Sequence, residues 1–178
     1  MIRTLLAFTG LFLLLLALPA CSKNSGTKTE PGMPKVVPKM QMLESANHFS
    51  DAAFAFQIRD YPRAKQSLEK ALEIRPDIPE WWESLGYACK LMNKTSEARK
   101  AYKKASSLWE DAYDDSGRVD FAMRQVVILL LLHEDSDARN LVEKLAKKFP
   151  KDAKLQDFIK SKGIDQILSD PEIQAKRL

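Results

Sequence analysis

Apolar and polar positions follow different rhythms along this chain. Leu5 to Leu18 is almost wholly apolar behind Arg3, and Pro19-Ala20 precedes Cys21. A positive start, an apolar core and a small-residue site are the layout of an export signal. A bilayer-spanning helix needs roughly 20 apolar residues, and the run from Leu5 to Ala20 is shorter. From Ser22 to about Leu43 there is no helical apolar period. Pro31, Pro34, Pro38, Gly26 and Gly32, set among Ser, Thr and Lys, predict a linker over 22–43. Beyond Glu44 apolar residues recur at helical spacing, as in Phe49, Ala52, Ala53 and Phe56 and again in Leu155, Phe158 and Ile159. The pattern predicts an all-α domain over 44–178.

A longer period lies on top of the helical one. The stretch from Ala64 to Leu72 recurs 34 residues on, from Ala98 to Ser106, and a further 40 on, from Ala138 to Ala146. Pro76 and Pro150 close the outer copies, where Glu110 stands in the middle one. A fixed period of this size marks stacked helix pairs, here over about 45–78, 79–112 and 119–152, with a cap over 153–178. Asp111 to Gly117 is expected to be an acidic turn that absorbs the six extra residues. Gly86, Ala98 and Ala105 are small enough for two helix axes to approach, and Trp82, Leu85 and Tyr102 would fill the space beside them. A lone pair cannot bury its apolar face, so neighbours must cover it. The run from Val126 to Leu132 is apolar all round and needs cover on several sides. That cover is either the second repeat with the C-terminal cap, or a partner's helix or strand. Gly163 is expected to stop the helix that carries Phe158, with a short helix over Ile164 to Leu168 before Pro171.

Specific residues carry a family likeness. Trp82, Leu85 and Gly86 match the W-x2-L-G opening of tetratricopeptide repeats, and Ala98, Tyr102 and Ala105 fall at the later small-aromatic-small positions. The first repeat keeps Tyr61, Ala64, Leu68, Ala71 and Pro76, but has His48 and Asp51 where bulky apolar residues are usual. The third keeps Ala138, Leu145 and Pro150 and lacks the Trp and Gly. Over most of 45–152 the chain thus resembles a tetratricopeptide repeat protein. The resemblance implies a right-handed superhelix of about three helix pairs with a C-terminal capping helix. It also implies a groove that faces Phe49, Ala53 and Phe56, then Glu83, Tyr87 and Lys90, then Met123, Val127 and Leu130, and that holds a protein partner as a helix or extended peptide. Phe49, Ala52, Ala53 and Phe56 fit an ordinary core face equally well. Glu83 and Tyr87 stand where chaperone-binding relatives carry Lys or Arg and Asn, so a carboxylate clamp is not expected. Adjacent helix positions point about 100° apart. With Trp82 at the family's core position, Trp81 becomes a candidate exposed anchor, the alternative being packing against the loop before Pro79.

Leu18-Pro19-Ala20-Cys21 resembles the lipobox of bacterial lipoproteins, with Pro19 where Ser, Ala, Thr or Val is commoner. The likeness implies that Cys21 carries lipid and becomes the first residue after signal removal. Ser22 in place of Asp points to the periplasmic face of an outer membrane. Two or three acyl chains anchor stably where one holds marginally.

The formal net charge is +4, yet residues 44–178 hold 23 Lys plus Arg against 23 Asp plus Glu. The excess sits in the leader and linker, so the domain lacks the basic face of a nucleic-acid binder. Cys89 is expected to be a buried free thiol, with an intermolecular disulfide as the alternative. No catalytic residue, metal site or cofactor is predicted. His48 and His133 fall in different repeats without ligand spacing, no nucleophile elbow or phosphate loop is present, and Asp111, Asp114 and Asp115 lack the alternation of a calcium loop. The expected function is a lipid-anchored adaptor at the cell envelope that assists an outer-membrane, pilus or secretion assembly. The alternative is an accessory subunit that organises cell-wall enzymes or an uptake system.

Overall fold

Helices fill nearly all of the described residues. The structure, a computed structural model, describes residues 37–178, so the signal segment, Cys21 and the linker up to Val36 lie outside the described residues. Among the described residues the helices are α1 (Lys39–Gln57), α2 (Tyr61–Ile74), α3 (Pro79–Leu91), α4 (Thr95–Ser116), α5 (Val119–Leu131), α6 (Asp135–Lys148), α7 (Ala153–Lys160), α8 (Gly163–Ser169) and α9 (Pro171–Lys176), with no strand. The all-α expectation holds, in keeping with a helical-repeat superhelix.

Consecutive helices pack as antiparallel pairs, α1 with α2, α3 with α4 and α5 with α6, and each pair packs on the next. Their internal turns are alike. Arg59, Asn93 and His133 take positive φ of 59°, 59° and 62°, at offsets of 34 and 40 residues. In each turn the following amide reaches back across the helix end: Asp60 to the Ala55 carbonyl (2.8 Å), Lys94 to Cys89 (2.9 Å) and Glu134 to Leu129 (2.9 Å). This is the six-to-one closure of a helix C-terminus, a place that favours glycine. None of the three is glycine, so each pair accepts some backbone strain in order to make a tight reversal.

Local signals start the helices. Asp60 caps α2 by accepting from the Arg63 amide (3.1 Å), Asp152 caps α7 through Leu155, and Pro79 and Pro171 occupy first-turn positions of α3 and α9. Three boundaries differ from expectation. α1 begins at Lys39, right after Pro38, so residues 39–43 are helical and not linker. These residues favour helix but give no inward stripe, since Met40, Met42 and Leu43 are exposed. The expected acidic turn from Asp111 is instead the end of α4, which closes at Gly117 with φ 68°. Trp109, Ala112 and Tyr113 continue its apolar face against α5, so the extra residues lengthen a helix. Lys162, with φ 54°, makes the turn after α7, and Gly163 opens α8. A Cβ at Gly163 would meet the Phe158 ring at 2.2 Å, so this glycine serves close approach and not chain reversal.

The apolar run in α5 is covered from within the chain. Ile128, Leu131 and Leu132 pack with Tyr102 and Trp109 of α4 and with Ile173 and Leu178 of the C-terminus, while Val126 and Leu130 pack with Ala138, Val142 and Ile164. The central approach lies between α3 and α4, where a Cβ on Gly86 would stand 2.5 Å from Tyr102 Cε1. Tyr102 is 1% exposed and has nowhere to retreat. Overpacking costs about 1–3 kcal/mol and lies at about 2–3 where the ring cannot move, offset by about 1 kcal/mol of helix propensity. Gly86→Ala is therefore expected to lower unfolding free energy by about 1–2 kcal/mol in a urea titration, and an unchanged midpoint would contradict this packing.

Candidate partner-binding surface

The surface is built on the first helix of each pair. Between α1 and α3, Phe49 stacks on Trp81 (centroids 5.2 Å apart, planes 14°) and Phe56 stacks on Tyr87 (5.8 Å, 15°). Phe49, Phe56 and Tyr87 are half-buried, as is Ser84 between the two stacks. A cleft of about 490 Å³ opens there, bordered by Phe56, Tyr61, Ser84, Tyr87 and Lys176.

Trp81 is not an exposed anchor. It is 8% exposed and belongs to the core with Leu85, Ala88 and Cys89. The two tryptophans do diverge, but both directions lead into protein. α3 lies between α1 and α4, so Trp81 enters the interface with α1 while half-buried Trp82 touches the clusters on either side of α3 and α4 and donates to the Pro76 carbonyl (2.9 Å). Leu130 is also withdrawn from any partner, because it is fully buried against α6 and α8.

The remaining predicted residues fall into two groups. Glu83, Tyr87 and Lys90 face the C-terminal segment. Met123 and Val127 lie apart from them, half-buried along a second cleft of about 890 Å³ bordered by Arg118, Phe149, Lys154 and Phe158. The structure therefore does not join the nine candidates into one uninterrupted groove.

Charge around Glu83 is distinctive. Its carboxylate accepts from the Trp109 indole (2.5 Å), and burial pushes its pKa up despite that bond and the nearby Arg124 and Lys176. Burial also pulls the Lys90 ammonium down, and that group donates to the Ala175 carbonyl. The Tyr102 phenol is pushed well above its ordinary value by burial, and its hydroxyl donates to the Lys176 carbonyl (3.1 Å). Cys89 is a buried free thiol, raised by burial as well. Among the described residues no group of three or more His, Cys, Asp or Glu side chains could hold a metal ion, and no helix is long and apolar enough to cross a membrane.

Sequence reasoning missed the last residues of the chain. Arg177 is 8% exposed and pairs with Asp135 (2.8 Å), while His133 Nδ1 lies 2.8 Å from the same guanidinium nitrogen. Arginine only donates, so that histidine nitrogen is the acceptor. A charged tripeptide at a chain end offers no periodic signal by which this seat could have been read.

Residues 53–78 and 80–108 match the tetratricopeptide repeat family. They take in the last five residues of α1, all of α2, α3 from Glu80 and α4 as far as Leu108, and repeats of this kind are scaffolds for protein–protein interaction. A comparison with curated proteins gives no match.

Two substitutions test this account. Trp81→Ala removes a stacked, buried ring and is expected to cost about 3–5 kcal/mol of stability, whereas an exposed anchor would leave the melt unchanged. Glu83 binds its proton more readily when folded than when unfolded. Its stabilising contribution is complete at acid pH and is lost as pH rises through the raised folded value. Glu83→Gln keeps an oxygen for Trp109 and should be more stable than wild type at pH 7. Paired melts should show that gap closing towards about pH 4.

Proposed function

We propose that this chain is a lipid-anchored adaptor that holds a segment of a protein partner at the cell envelope, at the periplasmic face of an outer membrane. The binding half of this reading is carried by the two matched repeats and the half-buried aromatic and charged residues on their first helices. Phe56 and Tyr87 offer stacking faces at the edge of a cleft, and Lys90 on the same helix as Tyr87 offers a donor to a backbone carbonyl, a chemistry suited to a peptide segment. The anchoring half rests on the apolar leader that ends in Leu18-Pro19-Ala20-Cys21. In this reading residues 1–20 are removed, acylated Cys21 becomes the first residue, 22–38 tether the domain, and binding without bond-making is the mechanism. Lipid would confine the adaptor to one leaflet, so a partner in the same envelope meets it at raised effective concentration. Support for an outer-membrane, pilus or secretion assembly is the kind of task such an arrangement serves.

Cys21→Ser removes the acylated sulfur. Wild-type protein is expected to take up a labelled fatty acid and sediment with membranes. The variant should lose the label and either remain unprocessed or move to the soluble fraction. Equal membrane association with no label on either protein would end the lipoprotein reading.

A further inference from the structure

The C-terminal segment sits on the repeats as a bound peptide would. Its backbone is read by side chains of the repeats: Lys90 donates to the Ala175 carbonyl and Tyr102 to the Lys176 carbonyl (3.1 Å). The Leu178 amide donates to the Leu131 carbonyl (3.0 Å) at the end of α5. Its side chains are read as well. The Lys176 ammonium lies 5.5 Å from the centre of the Tyr87 ring, Leu178 packs between Trp82 and the α4–α5 cluster, and Arg177 enters the ion pair with Asp135.

Two details mark this seat as exchangeable. Arg177 Nε is buried without a hydrogen-bond partner, so the tail leaves one strong donor unsatisfied. The cleft beside Lys176, bordered by Phe56 and Tyr87, stays open, so a longer segment would gain contacts that the tail does not make. The tail is joined to the body through two short helices, α8 and α9, that meet at Asp170.

We propose that the surface formed by Tyr87, Lys90, Tyr102, Leu131 and Asp135 is a peptide site whose resident occupant is the chain's own tail. Its partner ligand is a segment in which a basic residue is followed directly by an aliphatic one. Such a segment displaces the tail, placing its cation on Asp135 and its aliphatic side chain against Trp82. This deepens the adaptor reading above by naming what the repeats hold. The tail sets a threshold, because a ligand's apparent affinity is reduced by the fraction of molecules whose site is free.

The test uses full-length protein and a fluorescent peptide that copies Pro171 to Leu178, followed by anisotropy. Arg177→Ala in the protein removes the tail's ion pair and leaves Asp135 in place for the peptide. With the tail seated about nine-tenths of the time, that variant should bind the peptide about tenfold more tightly than wild type. Leu178→Ser, which removes the apolar anchor instead, should give a gain in the same direction, and thermal melts check that both variants are folded. Adding Asp135→Asn to Arg177→Ala should abolish the gain, as should a peptide with alanine in place of its arginine. Equal affinity of wild type and both tail variants, or binding indifferent to Asp135→Asn, would overturn the proposal. Envelope partners captured by crosslinking to a chain that ignores the peptide would sink this inference alone and leave the adaptor role standing. Failure of lipid labelling at Cys21 would leave the peptide titration untouched.

Discussion

The structure depends on covering α3 from several directions at once, with Leu68, Ala71 and Leu72 of α2 closing over its Leu85, Ala88 and Cys89. Towards α1 it presents Trp81, stacked on Phe49; towards α4 it presents Gly86, whose missing side chain admits the Tyr102 ring; towards the C-terminus it presents Tyr87 and Lys90. A helix in this position cannot be stable by its own propensity, because most helical stability in proteins comes from packing of an apolar face. Each neighbour solves a different part of the burial problem. The result is a core that passes from pair to pair through shared residues such as Trp82, which touches the clusters on both sides.

What could be read from the sequence follows from this arrangement. The 34-residue offset that set Ala64 over Ala98 reappears as superimposed turns at Arg59 and Asn93, and the 40-residue offset reappears at His133. Gly86 and Tyr102 could be assigned to one close helix approach, because small residues set among large ones mark such a place, but which ring faces the glycine is fixed only by the packing. The two tryptophans could not be assigned, since the angle between adjacent positions tells where they diverge but not what stands in either direction. In a stack, a first helix has protein on more than one side, and Trp81 found α1 where solvent had been expected. Leu130 was misplaced for a similar reason: its turn of α5 is enclosed by α6 and α8, and a groove position in an ordinary repeat became core next to the cap. The acidic composition of Asp111 to Gly117 predicts a turn, whereas Ala112 and Tyr113 keep the helical period and α4 runs to Ser116.

The two ends of the stack are finished differently. Terminal repeats must present an outer face that tolerates water. At the N-terminal end α1 leaves Met40, Met42, Leu43, Phe54 and Ile58 exposed, with the Arg63 guanidinium 5.8 Å from the Phe54 ring centre. At the C-terminal end α7, α8 and the tail close over the last pair, and Ile164, Leu155 and Leu178 are drawn into three separate clusters. The cap is thus continuous with the core it protects.

That continuity gives the tail a structural role beyond occupying a surface. Stacked repeats are held chiefly by contacts between nearest neighbours, and the turn between pairs is the place where such a stack can bend. The tail crosses the interface between the second and third pairs at the end of α5 opposite that turn. Lys90 belongs to the last turn of α3, Tyr102 to α4, and Leu131, His133 and Asp135 to the reversal between α5 and α6, so one short segment is bonded to the second and third pairs together. His133 can meet Arg177 because its left-handed backbone turns the chain sharply between α5 and α6, beside the Asp135 carboxylate that begins the next helix. Strain accepted at that turn is therefore matched by the contacts it makes possible. A ligand that replaced the tail would inherit the same bridge between the second and third pairs, and the angle at which they meet would then be held by the partner instead of by the chain itself.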